Sequence, residues 1–258
     1  MNLTRLCLRL LLFCLACCSE AALAAKPKLI IGIGFTDQVN TNHKSSNYHF
    51  DVLFSYRLFT DLGYQVKFVI APYAKLTQLL EQKQIDIATR QAGELSASLF
   101  YSSVYLEVHN LVFARQDFSG NIKQIGDLQW YRLTGFQNAS HVLGQEFALA
   151  SQKAPSYREV FDHIQAVQLL MKGRTDLLIL NKNTFYRRLA ELQQPASAVQ
   201  SFDILPKVRY RLAFHQAKLQ QQAEQKLLWY LQQGLIKSIE QEARQQPEQI
   251  EKLLRRPD

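Results

Sequence analysis

The chain is poor in the residues that break or brace a fold. Of 258 residues only seven are proline and ten are glycine, against 47% hydrophobic and 20% charged, which excludes a disordered, collagen-like or low-complexity chain and calls for a sizeable core. Cysteine is confined to Cys7, Cys14, Cys17 and Cys18. Long hydrophobic runs are also missing. Mean hydropathy is −0.16, and the single apolar run, Leu10 to Cys18, is shorter than the roughly 20 residues that cross a hydrocarbon core, so a polytopic membrane protein is excluded.

That run has the context of a signal. Arg5 and Arg9 give a basic start and Ala22-Leu23-Ala24 supplies small residues for cleavage before Ala25, so residues 1–24 read as a secretory signal peptide. A second reading takes Leu15-Ala16-Cys17-Cys18 as a lipoprotein-type signal with a lipidated cysteine. Either way the protein works outside the cytoplasmic membrane, in the periplasm. Removing 24 of 258 residues leaves 234 without a cysteine, which excludes disulfide and thiolate chemistry there.

Loss of Arg5, Arg9 and Glu20 takes the formal charge from +8 to +7. The basic residues are scattered, with small clusters at Arg187-Arg188 and Arg255-Arg256 and no stripe interleaved with stacking aromatics. A nucleic-acid partner is therefore not expected. An acidic small ligand or a nearby anionic surface fits the charge.

Lys28 to Gly34 is a continuous apolar run, as in a strand buried on both faces of a parallel sheet. A polar loop, residues 36–47, follows. Phe50, Leu53, Phe54, Leu58 and Leu62 then recur at helical spacing up to Gly63, a C-cap, before the β-rich stretch 64–70. Leu76, Leu79 and Leu80 mark a second helix, and Ile85 to Thr89 a third strand. The order is βαβαβ, a doubly wound α/β unit whose ligands sit outside the carboxyl ends of the strands.

The chain then echoes itself. Gln78-Leu79-Leu80 precedes Asp86 by the spacing that separates Gln168-Leu169-Leu170 from Asp176, which suggests a second α/β lobe. In it, residues 131–136 read as a strand, Ser140 as the N-cap of a helix through about Ser151, Asp162 with Gln165 as a capping box, and Leu177 to Leu180 as a buried strand. Extended stretches 106–114 and 208–214 bracket this unit as crossings between lobes. The remainder is helical, with Leu219, Ala223, Leu227, Leu228 and Leu231 on one face, up to a break near Pro247.

In this order the sequence resembles the periplasmic solute-binding proteins of family 3, the polar-amino-acid type that feeds ABC importers. His49-Phe-Asp-Val-Leu-Phe54 is similar to the family's Gly-Phe-Asp-Val-Asp-Leu, Phe100 to Tyr105 to its Asp-Phe-Ser-Asp-Pro-Tyr, and Gly135 to Ser140 to its Gly-Val-Gln-x-Gly-Thr. The stretches 79–87 and 170–176 match as well.

The resemblance implies a two-lobed fold of type II, each lobe a doubly wound sheet, joined by two hinge strands and closing on a small-molecule ligand. It places lobe one at 25–109 and 207–258 and lobe two at 110–206. It carries ligand contact over to Thr89, Arg90 and Gln91, and carboxylate capture to Ser140 and His141. A helix N-terminus with a capping hydroxyl is physically suited to an anion. Two departures stand out. The stretch 94–99, where amino-acid binders place an arginine on the α-carboxylate, contains none, and Asn181 stands where they have an aspartate for the ammonium. Arg90, at a strand's carboxyl end, offers a bidentate fork instead, and Phe35 is placed to stack on the ligand. A polar or acidic solute without a compensated ammonium is the expected ligand, bound by a monomer without cofactor or metal.

Two other roles are open. Cyclohexadienyl dehydratases turn a similar cleft to catalysis, for which His141 and Glu94 are the acid–base candidates. His43 and His49 lack a third metal ligand. Alternatively the protein presents its ligand to an envelope sensor rather than to an ABC permease.

Overall fold

The computed structural model describes residues 26–35, 48–93 and 96–255. The signal segment with its cysteines, the loop 36–47 with His43, and Glu94 lie outside the described residues.

The first strand, β1 (Lys28–Phe35), is central because both of its faces are apolar. Ile31 and Ile33 point to one side, fully buried under helix α1 (Tyr48–Asp61). On the other side sit Gly32 and Gly34. A Cβ on Gly34 would come within 2.0 Å of the Tyr73 ring, so glycine is what lets helix α2 (Tyr73–Glu81) lie directly on the strand. Strand β2 (Gln65–Pro72) and strand β3 (Ile87–Ala92) flank β1 in parallel.

The first sheet is completed by β4 (Phe100–Tyr101), β5 (Leu106–Val108) and β11 (Val208–Phe214), in the order β2-β1-β3-β11-β4 with β5 paired to β11. The second sheet contains β6 (Asn110–Arg115), β7 (Leu133–Phe136), β8 (Tyr157–Val160), β9 (Leu177–Asn181) and β10 (Val199–Phe202). Its order, read from the far edge, is β8-β7-β9-β6-β10. Both sheets thus follow one plan: three parallel strands with the first in the middle, then an antiparallel strand beside the third.

Helices cover both faces of each sheet. On the first, α1 packs with the C-terminal helices α7 (Ala217–Gln232), α8 (Leu235–Gln245) and α9 (Pro247–Leu254) on the face opposite α2. On the second, α3 (Ala139–Val142) and α4 (Gln145–Lys153) lie opposite α5 (His163–Met171) and α6 (Lys182–Glu191). The fold is therefore two-lobed α/β, each lobe a doubly wound mixed sheet. Phe113 and Phe185, both fully buried with ring centroids 3.6 Å apart, anchor β6 under α6, a burial that contributes about 1.5–3 kcal/mol per ring.

The sequence echo is a structural repeat. Asp86 Oδ2 accepts the Ile30 amide at 2.8 Å and Asp176 Oδ2 the Arg132 amide at 2.8 Å, so each aspartate clips the strand after a helix to the first strand of its unit. The preceding turns match bond for bond, Gln84 N to Leu79 O and Arg174 N to Leu169 O, both at 2.9 Å. Asp162 caps α5 as expected, its Oδ1 accepting from Ile164 and Gln165.

Four expectations need correction. Ser140 is not an N-cap: Asn138, left-handed at φ 63°, starts α3. The helix expected to run through Ser151 breaks at Gly144. The C-terminal helix breaks at Gly234 before it breaks at Pro247. Finally, 106–114 and 208–214 are largely sheet strands. The chain passes between sheets at His109 and again at 203–207, two short pieces joined by a 2.7 Å contact of His109 Nε2 with Asp203 Oδ1.

Candidate functional site

A cavity of about 330 Å³ lies where carboxyl ends of strands from both sheets face each other. The first sheet contributes Arg90, Gln91 and Ala92 from β3, Tyr73 and Thr77 from α2, and Tyr210 from β11. The second contributes Asn110 from β6, Phe136 at the end of β7 with Gln137 and Asn138 after it, His141 and Val142 from α3, His163 from α5, Asn181 at the end of β9 and Thr184 from α6. A larger space of about 760 Å³, lined by His49, Glu107, His109, Arg187 and Arg244 among others, lies on the other side of Arg90, Asn181 and Thr184, which line both.

Arg90 is placed by a bulge. Between Ala88 and Gln91, β3 uses one residue more than β11 does between Ala213 and Arg211, and Arg90 takes the left-handed φ of 50°. The turn sends its guanidinium across to α1. There its Nε donates to Asp51 Oδ2 at 2.5 Å. Tyr105 closes the triangle: its hydroxyl donates to Asp51 Oδ1 at 3.0 Å and accepts the Arg90 amide at 3.1 Å. Asp51 is fully buried. Burial is the largest influence and lowers the guanidinium's pKa, but the Asp51 carboxylate together with the hydroxyls of Tyr73, Tyr105 and Tyr210 outweighs it and the net shift is upward. Burial pushes the Asp51 carboxyl up against the opposing pull of Arg90 and Tyr105. The cation facing the cavity is thus met from behind by the protein's own anion.

A second internal carboxylate holds the start of α3. Glu159 of β8 accepts the Asn138 amide at 2.7 Å, the Ser140 amide at 2.9 Å, and the Ser140 and Tyr157 hydroxyls at 2.7 Å each. Burial raises its pKa, but these four donors together carry it below the ordinary glutamate value. The Tyr157 hydroxyl is pushed well up by burial and by Glu159. Of the two residues expected to receive a ligand carboxylate, Ser140 therefore has its amide engaged by Glu159, and the His141 amide donates to the Asn138 carbonyl at 3.1 Å.

Of the residues singled out in the sequence, Arg90, Gln91, His141 and Asn181 line the cavity. Gln91 accepts from Thr77 Oγ1 at 3.0 Å and donates to the Thr89 carbonyl at 2.9 Å. Asn181 caps α6 through the Thr184 amide at 3.1 Å and donates to the His109 carbonyl at 3.1 Å, tying the end of β9 to a crossing. Thr89 and Ser140 are not among the lining residues. The Thr89 hydroxyl is buried on the Gly32 carbonyl at 3.1 Å. Phe35 ends β1, and its side chain lies outside the described residues. Sequence reasoning missed Asp51, Glu159, Asn110 and Gln137. For Asn110 a signal existed, a lone amide opening the apolar stretch Leu111 to Ala114.

No protein-family model and no curated protein sequence matches the chain. Among solved structures, an ancestral arginine-binding protein bound to arginine aligns with a TM-score of 0.65 at 17% identity, over 84% of this chain and 98% of that one. A histidine kinase sensor domain with similarity to periplasmic binding proteins gives 0.65 at 15% identity, over 84% and 96%. The chain has the periplasmic-binding-protein fold. An amino acid ABC transporter substrate-binding protein from Streptococcus pneumoniae, bound to L-arginine, agrees with a TM-score of 0.65 at 12% identity, over 85% and 95%. Within a periplasmic-binding-protein fold the cavity here is an inter-lobe cleft, walled by residues of both sheets.

Proposed function

We propose that the protein is a periplasmic binding protein that takes a small polar solute into the cleft between lobe one (25–109 and 207–258) and lobe two (110–206), and delivers it to an ABC importer. The observation that carries the reading is the cavity itself: polar side chains from both sheets converge on one space at the strands' carboxyl ends. Arg90, Gln91, His141 and Asn181 are the contacts proposed from the original set. The location rests on the basic, apolar and small-residue pattern of residues 1–24. Similarity to an ABC substrate-binding protein supports delivery to a permease, and similarity to a kinase sensor domain supports a second reading, presentation to an envelope sensor.

The test is a thermal-shift screen of protein purified from periplasmic extract against amino acids, dicarboxylates and small polar metabolites. A solute bound only by the folded state raises the melting temperature. At least one saturable upward shift is expected, and a complete library without one overturns the reading. Loss of uptake of the identified solute on disruption of an adjacent permease separates delivery from sensing.

A further inference from the structure

Deepening the cleft reading, on which this rests, we infer that the cleft selects uncharged solutes bearing a carboxamide, and that Asn110 is a ligand-binding residue. The cavity's fixed charges are already answered from within. Arg90 is its only lining side chain with a full charge among the described residues, the histidines aside, and Asp51 holds it. The helix start that would take a carboxylate is bonded to Glu159 through Asn138 and Ser140. A charged solute would enter without an uncommitted counter-charge and would lose its hydration for little in return.

What the cavity leaves unanswered is neutral. Asn110 is 2% exposed, and its Nδ2 has no hydrogen-bond partner. The Oε1 of Gln137, a residue that follows β7 of the same sheet as Asn110 and lines the same cavity, is also buried without one. Buried amide groups are nearly always paired, so an unpaired donor and an unpaired acceptor lining one cavity describe what is missing. The missing partner presents an acceptor to Asn110 and a donor to Gln137. A carboxamide carries both, and a site built on such bonds rejects analogues that cannot make them.

The experiment sorts the screened library into uncharged carboxamides, including nicotinamide and N-acetylglucosamine, and into anions, cations and zwitterions, including succinate, L-arginine and L-glutamate. Shifts are expected in the uncharged carboxamide class. Titration calorimetry of the best hit on Asn110→Ala should show a loss of about 10- to 100-fold. Asn110→Leu should bind as poorly while its unliganded form unfolds at the same or a higher urea concentration, because no internal bond of Nδ2 is lost. A merely structural Asn110 would lower unliganded stability and leave affinity unchanged, which overturns its role. A charged solute binding as tightly as any carboxamide overturns the selectivity while leaving the cleft reading intact. No hit in any class overturns both.

Discussion

Arg90 and Asp51 belong to segments 39 residues apart in sequence, yet each is the reason the other can be buried. Their side chains are 15% and 0% exposed, and removing one partner leaves an uncompensated charge. Asp51→Ala is expected to cost about 3–5 kcal/mol in urea denaturation, whereas the double change Asp51→Leu with Arg90→Met should recover most of it. A double change as damaging as the sum of the singles would show that the two do not act as a pair. Glu159 gives a pH-dependent counterpart. Its folded pKa lies below the ordinary 4.5, so its contribution is fully present above the unfolded value and is lost as pH falls through the folded one. The stability gap between the native protein and Glu159→Gln should therefore be constant near neutrality and shrink in acid, as read by urea midpoints between pH 7 and pH 3. A gap that widens on acidification would contradict this assignment. Neither pair was legible in the sequence. Arg90 is visible at a strand end, but the bulge that turns it toward Asp51 depends on the register with β11, some 120 residues away.

Elements with one dominant period were the easiest to read. The apolar run at β1 and the buried strand at β9 emerged within a residue or two of their bounds, and the echo of Asp86 in Asp176 turned out to be one turn used twice. Breaks between helices were harder, because apolar periodicity continues across them. The buried face of α7 is Leu219, Ala223, Leu227 and Tyr230, whereas Leu228 and Leu231, expected on it, are exposed. The face continues in α8 with Ile236 and Ile239, and only the left-handed Gly234, at φ 69°, shows that α7 ends there. A Cβ at Gly234 meets nothing within 4 Å, so substitution there acts through the backbone alone. Gly234→Ala should cost about 1–2 kcal/mol and lower the melting temperature by about 2–8 °C, with Gly234→Asn milder than alanine because asparagine tolerates the left-handed region. Equal loss from alanine and asparagine would argue against a backbone origin.

At the scale of the whole molecule, the chain passes between two lobes built on one plan at His109 and at residues 203–207, and those pieces touch each other where His109 meets Asp203. In the sequence, 106–114 and 208–214 read as the crossings because extended residues look alike whether they pair within a sheet or pass between two. Short crossings beside each other make a natural hinge: a small change in their dihedral angles swings one sheet against the other. A solute touching Gln91 and Tyr210 from one lobe and Asn110 and Gln137 from the other makes its full set of contacts only when the lobes are close, so it favours the closed state by its differential affinity. Small-angle scattering of the purified protein, with and without the best solute from the screen, should show a smaller radius of gyration at saturation. Asp203→Ala, which removes the contact between the crossings, should alter the unliganded radius more than the saturated one, since the bound solute then bridges the lobes itself. An unchanged radius at calorimetrically proven saturation would mean that the solute binds without closure, and the hinge assigned to His109 and 203–207 would have to be abandoned.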